Sequence, residues 1–252
     1  MALGDSLTPV AQATWRRNHL LSAMPEAEQE RLSVDLRLVD LKMKASIYKA
    51  YEPITHVYFP LDCVISVTAT LERGDVIEVA TTGAEGVAGL PAFLGATSSP
   101  HEAFCQVPGQ ALRLDVDTLN RFVAGDGALH DLLHRYTQAV MVFLAQNVAC
   151  NRMHTADERC ARWLAQTHDR VGKSTFPLTQ EFLSEMLGVR RAAVSRSAQV
   201  LKEAGLIRYT RGQITVLDLD GLHTAACDCY QTVRAEFGRI PGARTPRPPE
   251  GS

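Results

Sequence analysis

Residues 176–207 constrain this chain more than any other stretch; they read FPLTQEFLSEMLGVRRAAVSRSAQVLKEAGLI. The apolar spacing predicts two short helices joined by a tight turn at Gly188, with a small β-wing to follow. Leu183 and Leu187 lie four apart on the first helix, and Val194, Ala198 and Leu201 line one side of the second. Thr179 stands where a hydroxyl can accept from a free amide one turn into the first helix. Gly205 stands where a left-handed residue closes the second. Left outward on the second helix are Arg191, Ala192, Ser195, Arg196 and Gln199, a set that can reach base edges or phosphates in a major groove. Other amphipathic helix pairs share this pattern, so the rest of the chain must discriminate.

Charge does part of that. Of the 252 residues, 151–252 carry 15 Lys+Arg against 11 Asp+Glu, while 1–150 carry 11 against 17. Residues 186–211 hold six basic groups and one acid, Glu203. A basic patch on one module beside an acidic partner domain suits a nucleic-acid binder. The opening MALGDSLTPVAQATW has neither a basic n-region nor an apolar core, so no signal peptide is expected. No run approaches the length of a membrane span. The six cysteines (Cys63, Cys105, Cys150, Cys160, Cys227, Cys229) lack CxxC spacing. That predicts reduced thiols in a cytoplasm, with no disulfide framework and no metal site. Cys227 and Cys229 are too close for the usual zinc hairpin and read as two ordinary thiols.

Taken in order, the chain opens with a mobile leader and a helix in which Pro25 takes an early position. Short alternating runs follow at 36–43, 56–59, 64–71, 77–82, 104–107 and 111–115, predicting an antiparallel roll or barrel. A Gly-rich turn and one short helix fall at 83–95, GAEGVAGLPAFLG. A long helix starts at Asp126. Along it Leu129, Leu133, Tyr136, Val140, Phe143, Asn147 and Cys150 recur at spacings of four and three, the a/d seam of a coiled coil. Leu132, Ala139 and Val142 offer a second strip to pack on the roll, which leaves the seam for a second copy of the chain. A homodimer is expected, with Asn147 pairing across the twofold to fix register. Cys150 reads first as a small buried hydrophobe; the alternative is that it faces its mate, where a reversible disulfide would respond to oxidants. Residues 151–154 read as a hinge, and Thr155 with Glu158 forms a capping box on the next helix. Residues 206–209 and 214–217 form the wing, 219–240 one further helix, and 241–252 a disordered Pro-rich tail.

The fold class expected is thus α+β. Its parts are a leader and helix (1–30), an antiparallel β-roll sensor (31–117), a dimerisation helix region (118–153), a winged helix-turn-helix (154–220) and a C-terminal helix with tail (221–252).

That order of parts, together with ERCARWLAQTHDRVGKSTFPLTQEFLSEMLGVRRAAVSRSAQVLKEAGLIRY, resembles the CRP/FNR superfamily of bacterial transcription regulators. The amino-terminal half matches more loosely, in strand order and in GAEGVAGLPAFLG, so the resemblance covers roughly residues 20–220. It implies a DNA-binding regulator that acts as a homodimer on a pseudo-palindromic operator of double-stranded DNA, with RNA polymerase open as a further partner. The family's base-reading positions fall on Arg191, Ala192 and Arg196; both arginines can grip guanine O6 and N7. Ala192 stands where an acidic residue is frequent, so the operator should differ at that base pair. Arg190 occupies a position where a small cap is common and is expected on a phosphate. Thr179, Gln180 and Lys202 are expected on the DNA backbone.

The sensor half departs from the pattern. In relatives that bind cyclic AMP, a Gly-Glu pair holds the ribose and an Arg-Ser pair the phosphate. Here these align with Ala88-Gly89 and His101-Glu102, a degenerate effector pocket that puts a carboxylate where phosphate needs a donor. Cyclic AMP in its usual mode is therefore not expected, no cofactor is implied, and an unidentified small-molecule effector stays open. No cysteine precedes Cys63, unlike the iron–sulfur branch, and His56 and Cys63 read as structural rather than haem ligands. Two alternatives remain: a ligand-binding regulatory subunit on the same roll, and a thiol-redox regulator acting through Cys150. No GxSxG, HExxH or P-loop occurs, and Glu78 and Glu85 read as solvated acids flanking the Gly-rich turn, so no catalytic residues are assigned.

Overall fold

The computed structural model describes residues 12–125 and 127–242. The expected leader at 1–11, the tail from 243 onward and the helix start at Asp126 lie outside the described residues. Three short helices come first: α1 (Gln12–Trp15), α2 (His19–Ser22) and α3 (Glu26–Ser33). Residues 12–22 are built into the fold rather than a mobile leader. Trp15, Leu20 and Leu21 are buried, and the buried Asn18 amide donates to the carbonyls of Pro60 and Gly86 at 3.0 and 2.9 Å. Pro25 is the N-cap of α3 and stands just outside the helix.

Seven strands make the roll: β1 (Arg37–Leu41), β2 (Ser46–Tyr48), β3 (His56–Pro60), β4 (Val64–Thr70), β5 (Val76–Thr82), β6 (Glu102–Val107) and β7 (Gly109–Asp115). They form two antiparallel sheets, in the orders β1-β7-β3 and β2-β6-β4-β5. Alternate side chains point inward, so Phe59, Ile65, Leu112 and Leu114 are fully buried between them. The sequence shows six of the seven; β2 has three residues and a register shift between Ser46 and Tyr48, too little for alternation to register. Between β5 and β6 lies α4 (Leu90–Phe93), and after β7 comes α5 (Val116–Val123).

The long helix α6 spans Ala128–Met153, and His154 then turns extended at φ −104°, ψ 150°. The expected hinge at 151–154 accordingly contracts to His154–Thr155. Thr155 and Glu158 form the capping box of α7 (Ala156–Val171). The winged module continues with β8 (Thr175–Pro177), α8 (Gln180–Leu187), α9 (Arg191–Glu203), β9 (Ile207–Thr210) and β10 (Gln213–Val216). Its sheet has the order β8-β10-β9, so a third strand stands where the sequence suggests only loop. The β9–β10 turn places Arg211 and Gly212 at φ 48° and 76°, the pair of positive values a tight hairpin turn demands. Beyond it the one helix expected at 219–240 is two, α10 (Leu219–Ala225) and α11 (Cys229–Phe237), broken where Ala226 is extended.

Helix α11 overturns the expected dimer seam. It runs back along α6, bringing Phe237 to 6.0 Å from the Tyr136 ring and 6.2 Å from Phe143. Leu129, Leu133, Tyr136, Phe143 and Cys150 are consequently buried inside one chain, and Val140 is partly so. Heptad spacing marks an apolar stripe, but it does not say which chain covers the stripe. Asn147 is likewise satisfied at home: Nδ2 donates to the Val79 carbonyl at 3.1 Å, and Oδ1 accepts from Arg162 at 2.8 Å. Cys150 Sγ lies 3.4 Å from Cys227 Sγ and cannot meet a mate across a twofold. What α6 does expose is a different strip: Met141 (60%), Leu144 (38%) and Val148 (73%).

Candidate nucleic-acid interface and sensor cavity

Local signals build the interface helix. Thr179 Oγ1 accepts from the Phe182 amide at 3.1 Å and starts α8. Gly188 ends it at φ 61°; a Cβ there would lie 2.7 Å from Ile77 Cδ1. Val194, Ser197, Ala198 and Leu201 turn inward from α9. Arg191, Ala192, Arg196 and Gln199 remain exposed on its outer side, with Lys202 a turn further on and Arg190 as its N-cap. Three residues expected at DNA are engaged within the chain: Ser195 Oγ donates to Gln180 Oε1 at 2.7 Å, spanning the turn between α8 and α9. Gln199 donates to Glu203 at 2.6 Å. Two exposed cations not singled out from sequence, Arg208 on β9 and Arg211 at the wing tip, extend the basic face.

The module sits against its own roll. Phe104 and Phe182 meet edge to face at 6.1 Å between centroids. Glu78 and Glu85, expected as solvated acids, are drawn into this contact. Trp163 Nε1 donates to Glu78 at 2.9 Å, and Arg170 Nε donates to Glu85 at 2.7 Å. Burial pushes the Glu78 carboxyl up to about 7, against opposing hydrogen bonds from Ser66 and Trp163. The geometry agrees. Ser66 Oγ lies 2.6 Å from Glu78 and 2.5 Å from Gln106 Oε1, yet has one hydrogen to give. A protonated Glu78 donating to Ser66 satisfies both contacts.

Folding therefore raises this pKa above its ordinary 4.5. The stability it contributes is full below 4.5 and is lost as pH rises through about 7. The urea midpoint should fall between about pH 5 and 8, and Glu78→Gln should flatten that slope. An unchanged slope in the variant would contradict the assignment.

A cavity of 410 Å³ lies between the roll and α6. Ala88, Gly89 and His101 line it as expected, but Glu102 does not; it sits on the far side of β6 near Lys44 and Lys49. The lining is mostly apolar, with hydroxyl side chains from Tyr48, Thr81, Thr82, Ser99, Tyr136 and Thr137, and contains no Lys, Arg, Asp or Glu among the described residues. Thr82 Oγ1 and Tyr136 Oη lie 3.1 Å apart. Its rim includes Met141 and Leu144 of the exposed strip.

A third group was invisible as a group in the sequence. Cys150, His154, Cys227 and Cys229 converge where α6 ends and α11 begins, correcting the reading of Cys227 and Cys229 as unconnected thiols and of the chain as lacking any metal-type cluster. Cys150 and Cys227 share a hydrogen bond, which lowers the pKa of the first thiol and raises that of the second.

Roll, long helix and winged helix-turn-helix module follow one another in a single chain, the last carrying the basic outer face of α9. Residues 158–225 match the Crp-like helix-turn-helix domain. Curated protein sequences give no match. Among solved structures, FixK2 from Bradyrhizobium japonicum superposes with TM-score 0.64 at 19% identity, covering 76% of this chain and 98% of that one. A CRP-family transcriptional regulator of Thermus thermophilus gives 0.61 at 18%, covering 74% and 95%. The c-di-GMP responsive regulator CLP of Xanthomonas campestris gives 0.56 at 12%, covering 76% and 99%. Residues 158–225 thus form a Crp-like helix-turn-helix domain, and the described chain has the fold of those CRP/FNR-type regulators. None of its described helices is long and apolar enough to cross a membrane.

Proposed function

We propose that this regulator acts in the cytoplasm as a homodimer, reading a pseudo-palindromic operator with α9 and answering to a ligand other than cyclic AMP. The observation that carries it is the outward face of α9: Arg191 and Arg196 stand exposed five residues apart, flanked by Arg208 and Arg211 on the wing. Arg191 and Arg196 are the base readers, Ala192 contacts a thymine methyl, and Arg190 and Lys202 take phosphates. Thr179 reaches the backbone from α8, while Gln180 and Ser195 hold the α8–α9 turn in shape. RNA polymerase is the further partner that an activator of this type would need.

The exposed strip Met141, Leu144 and Val148 supports dimerisation on a face different from the a/d seam. Spaced three and four apart on a long helix, these residues suit a second copy packed alongside. Because they contribute little to their own core, Met141→Glu with Val148→Glu should leave the fold intact and weaken the dimer at least tenfold by sedimentation. An undiminished dimer would move the interface elsewhere.

The cavity supports an apolar effector bearing one or two hydrogen-bonding groups for Thr82 and Tyr136. A cyclic nucleotide, or the cyclic dinucleotide to which the Xanthomonas regulator responds, brings phosphates that find no lysine or arginine in this lining.

Selection of genomic fragments by the purified protein tests the whole reading. An inverted repeat is expected, with half-sites about 34 Å apart. A motif without inverted symmetry would overturn the dimer, and recovery of random fragments would overturn specific readout.

A further inference from the structure

The cluster at the α6–α11 junction has the composition of a metal centre. The four donor atoms of Cys150, His154, Cys227 and Cys229 all lie within 4.8 Å of one another. Two of the separations are 3.4 Å, Cys150 Sγ to Cys227 Sγ, and 3.5 Å, Cys229 Sγ to His154 Nδ1. A tetrahedral zinc ion with bonds of about 2.3 Å to sulfur sets its thiolates about 3.8 Å apart, and Cys3His is one of its structural donor sets. The side chains thus stand within small rotations of a closed coordination sphere. All three thiols are buried, and the histidine side chain is 24% exposed.

Independent features point the same way. His154 presents Nδ1 to the thiols while its Nε2 lies 3.3 Å from the Asp228 carboxylate. A carboxylate behind a histidine fixes the tautomer that offers its other nitrogen to a metal. Gln146 donates to Cys229 Sγ at 3.1 Å, a bond that suits a thiolate. The guanidinium groups of Arg159 and Arg162 act on Cys150 and Cys227, offsetting the net negative charge of three thiolates on a divalent ion.

We propose that Cys150, His154, Cys227 and Cys229 bind one Zn²⁺ per chain, with Asp228 orienting His154. Two ligands come from the end of the long helix and two from the start of α11, so the ion pins the C-terminal helix to the junction that leads into the DNA-binding module. Zinc occupancy is then an input to the regulator separate from the roll cavity.

The test uses the full chain, reduced and stripped with a chelator, titrated with Co²⁺ as a spectroscopic stand-in and then with Zn²⁺. One equivalent of Co²⁺ should give the intense visible bands of a tetrahedral site and a near-ultraviolet thiolate charge-transfer band, both bleached by one equivalent of Zn²⁺. Cys227→Ser with Cys229→Ser should abolish the spectrum. If that pair fails to fold, the exposed Asp228→Asn decides, because it spares every ligand and should weaken Zn²⁺ about 10- to 100-fold in competition with a chromophoric chelator. Zinc should also raise the melting temperature of the wild type and leave that of the cysteine variant unmoved. A weak octahedral Co²⁺ spectrum, or Zn²⁺ affinity equal in wild type and Asp228→Asn, would overturn the site. So would a Cys150–Cys227 disulfide that forms readily in air while the reduced protein takes up no metal.

Discussion

Replacing Arg170 with leucine is expected to lower the stability of the protein by about 3–5 kcal/mol, the usual cost of removing one partner of a buried ion pair. The guanidinium is 8% exposed, donates to Glu85 at 2.7 Å and to Thr81 at 2.6 Å, and lies 5.7 Å from the Phe143 ring centre. Glu85 in turn accepts from the Gly83 amide at 3.1 Å, so the pair also shapes the turn that opens the sensor cavity. Leucine fills much of the volume but leaves the 14%-exposed carboxylate without its cation. Adding Glu85→Gln to Arg170→Leu should recover part of the loss, because the orphaned charge is then gone. Urea unfolding of the four proteins completes the cycle. A double variant no more stable than Arg170→Leu alone would show that packing, and not charge, carries the effect.

The second large effect lies at the DNA end. Arg191→Ala and Arg196→Ala should each cost about 1–3 kcal/mol of operator binding, roughly 5- to 150-fold in affinity, and relax selectivity at one base pair per half-site. Lys202→Ala should behave differently, weakening all duplexes alike and reducing the salt slope by about one. Anisotropy titrations on the selected operator and on a scrambled duplex separate the two patterns. Equal losses on both duplexes for the arginine variants would remove them from base readout.

The winged module was legible because its signals are local. Thr179, Gly188 and the apolar face of α9 each act within a few residues, and a chain read in order contains them all. The roll was legible for the same reason wherever strands were long enough to alternate. The seam of α6 was legible as a stripe and wrong as an interface, since its cover arrives from α11, about 100 residues later. Glu78 and Glu85 looked solvated because Trp163 and Arg170, which enclose them, belong to another domain. The thiol–histidine cluster left faint traces: Cys150 and His154 lie one helical turn apart, and Cys227 and Cys229 stand two residues apart at the start of α11. Neither trace is a motif alone, and only the return of the C-terminal helix makes them four ligands.

The amide of Asn147 has a mechanical consequence. One nitrogen grips the Val79 carbonyl on the sensor wall, and one oxygen is gripped by Arg162 on the first helix of the DNA-binding module. The roll, α6 and α7 therefore share a single planar group whose two ends cannot rotate separately. A ligand that displaced Val79 by a fraction of an ångström would tilt that plane and force Arg162 to follow or let go. Transmission of this kind works by steric linkage through a neutral lever, so its gain should survive salt concentrations that weaken the grip on DNA.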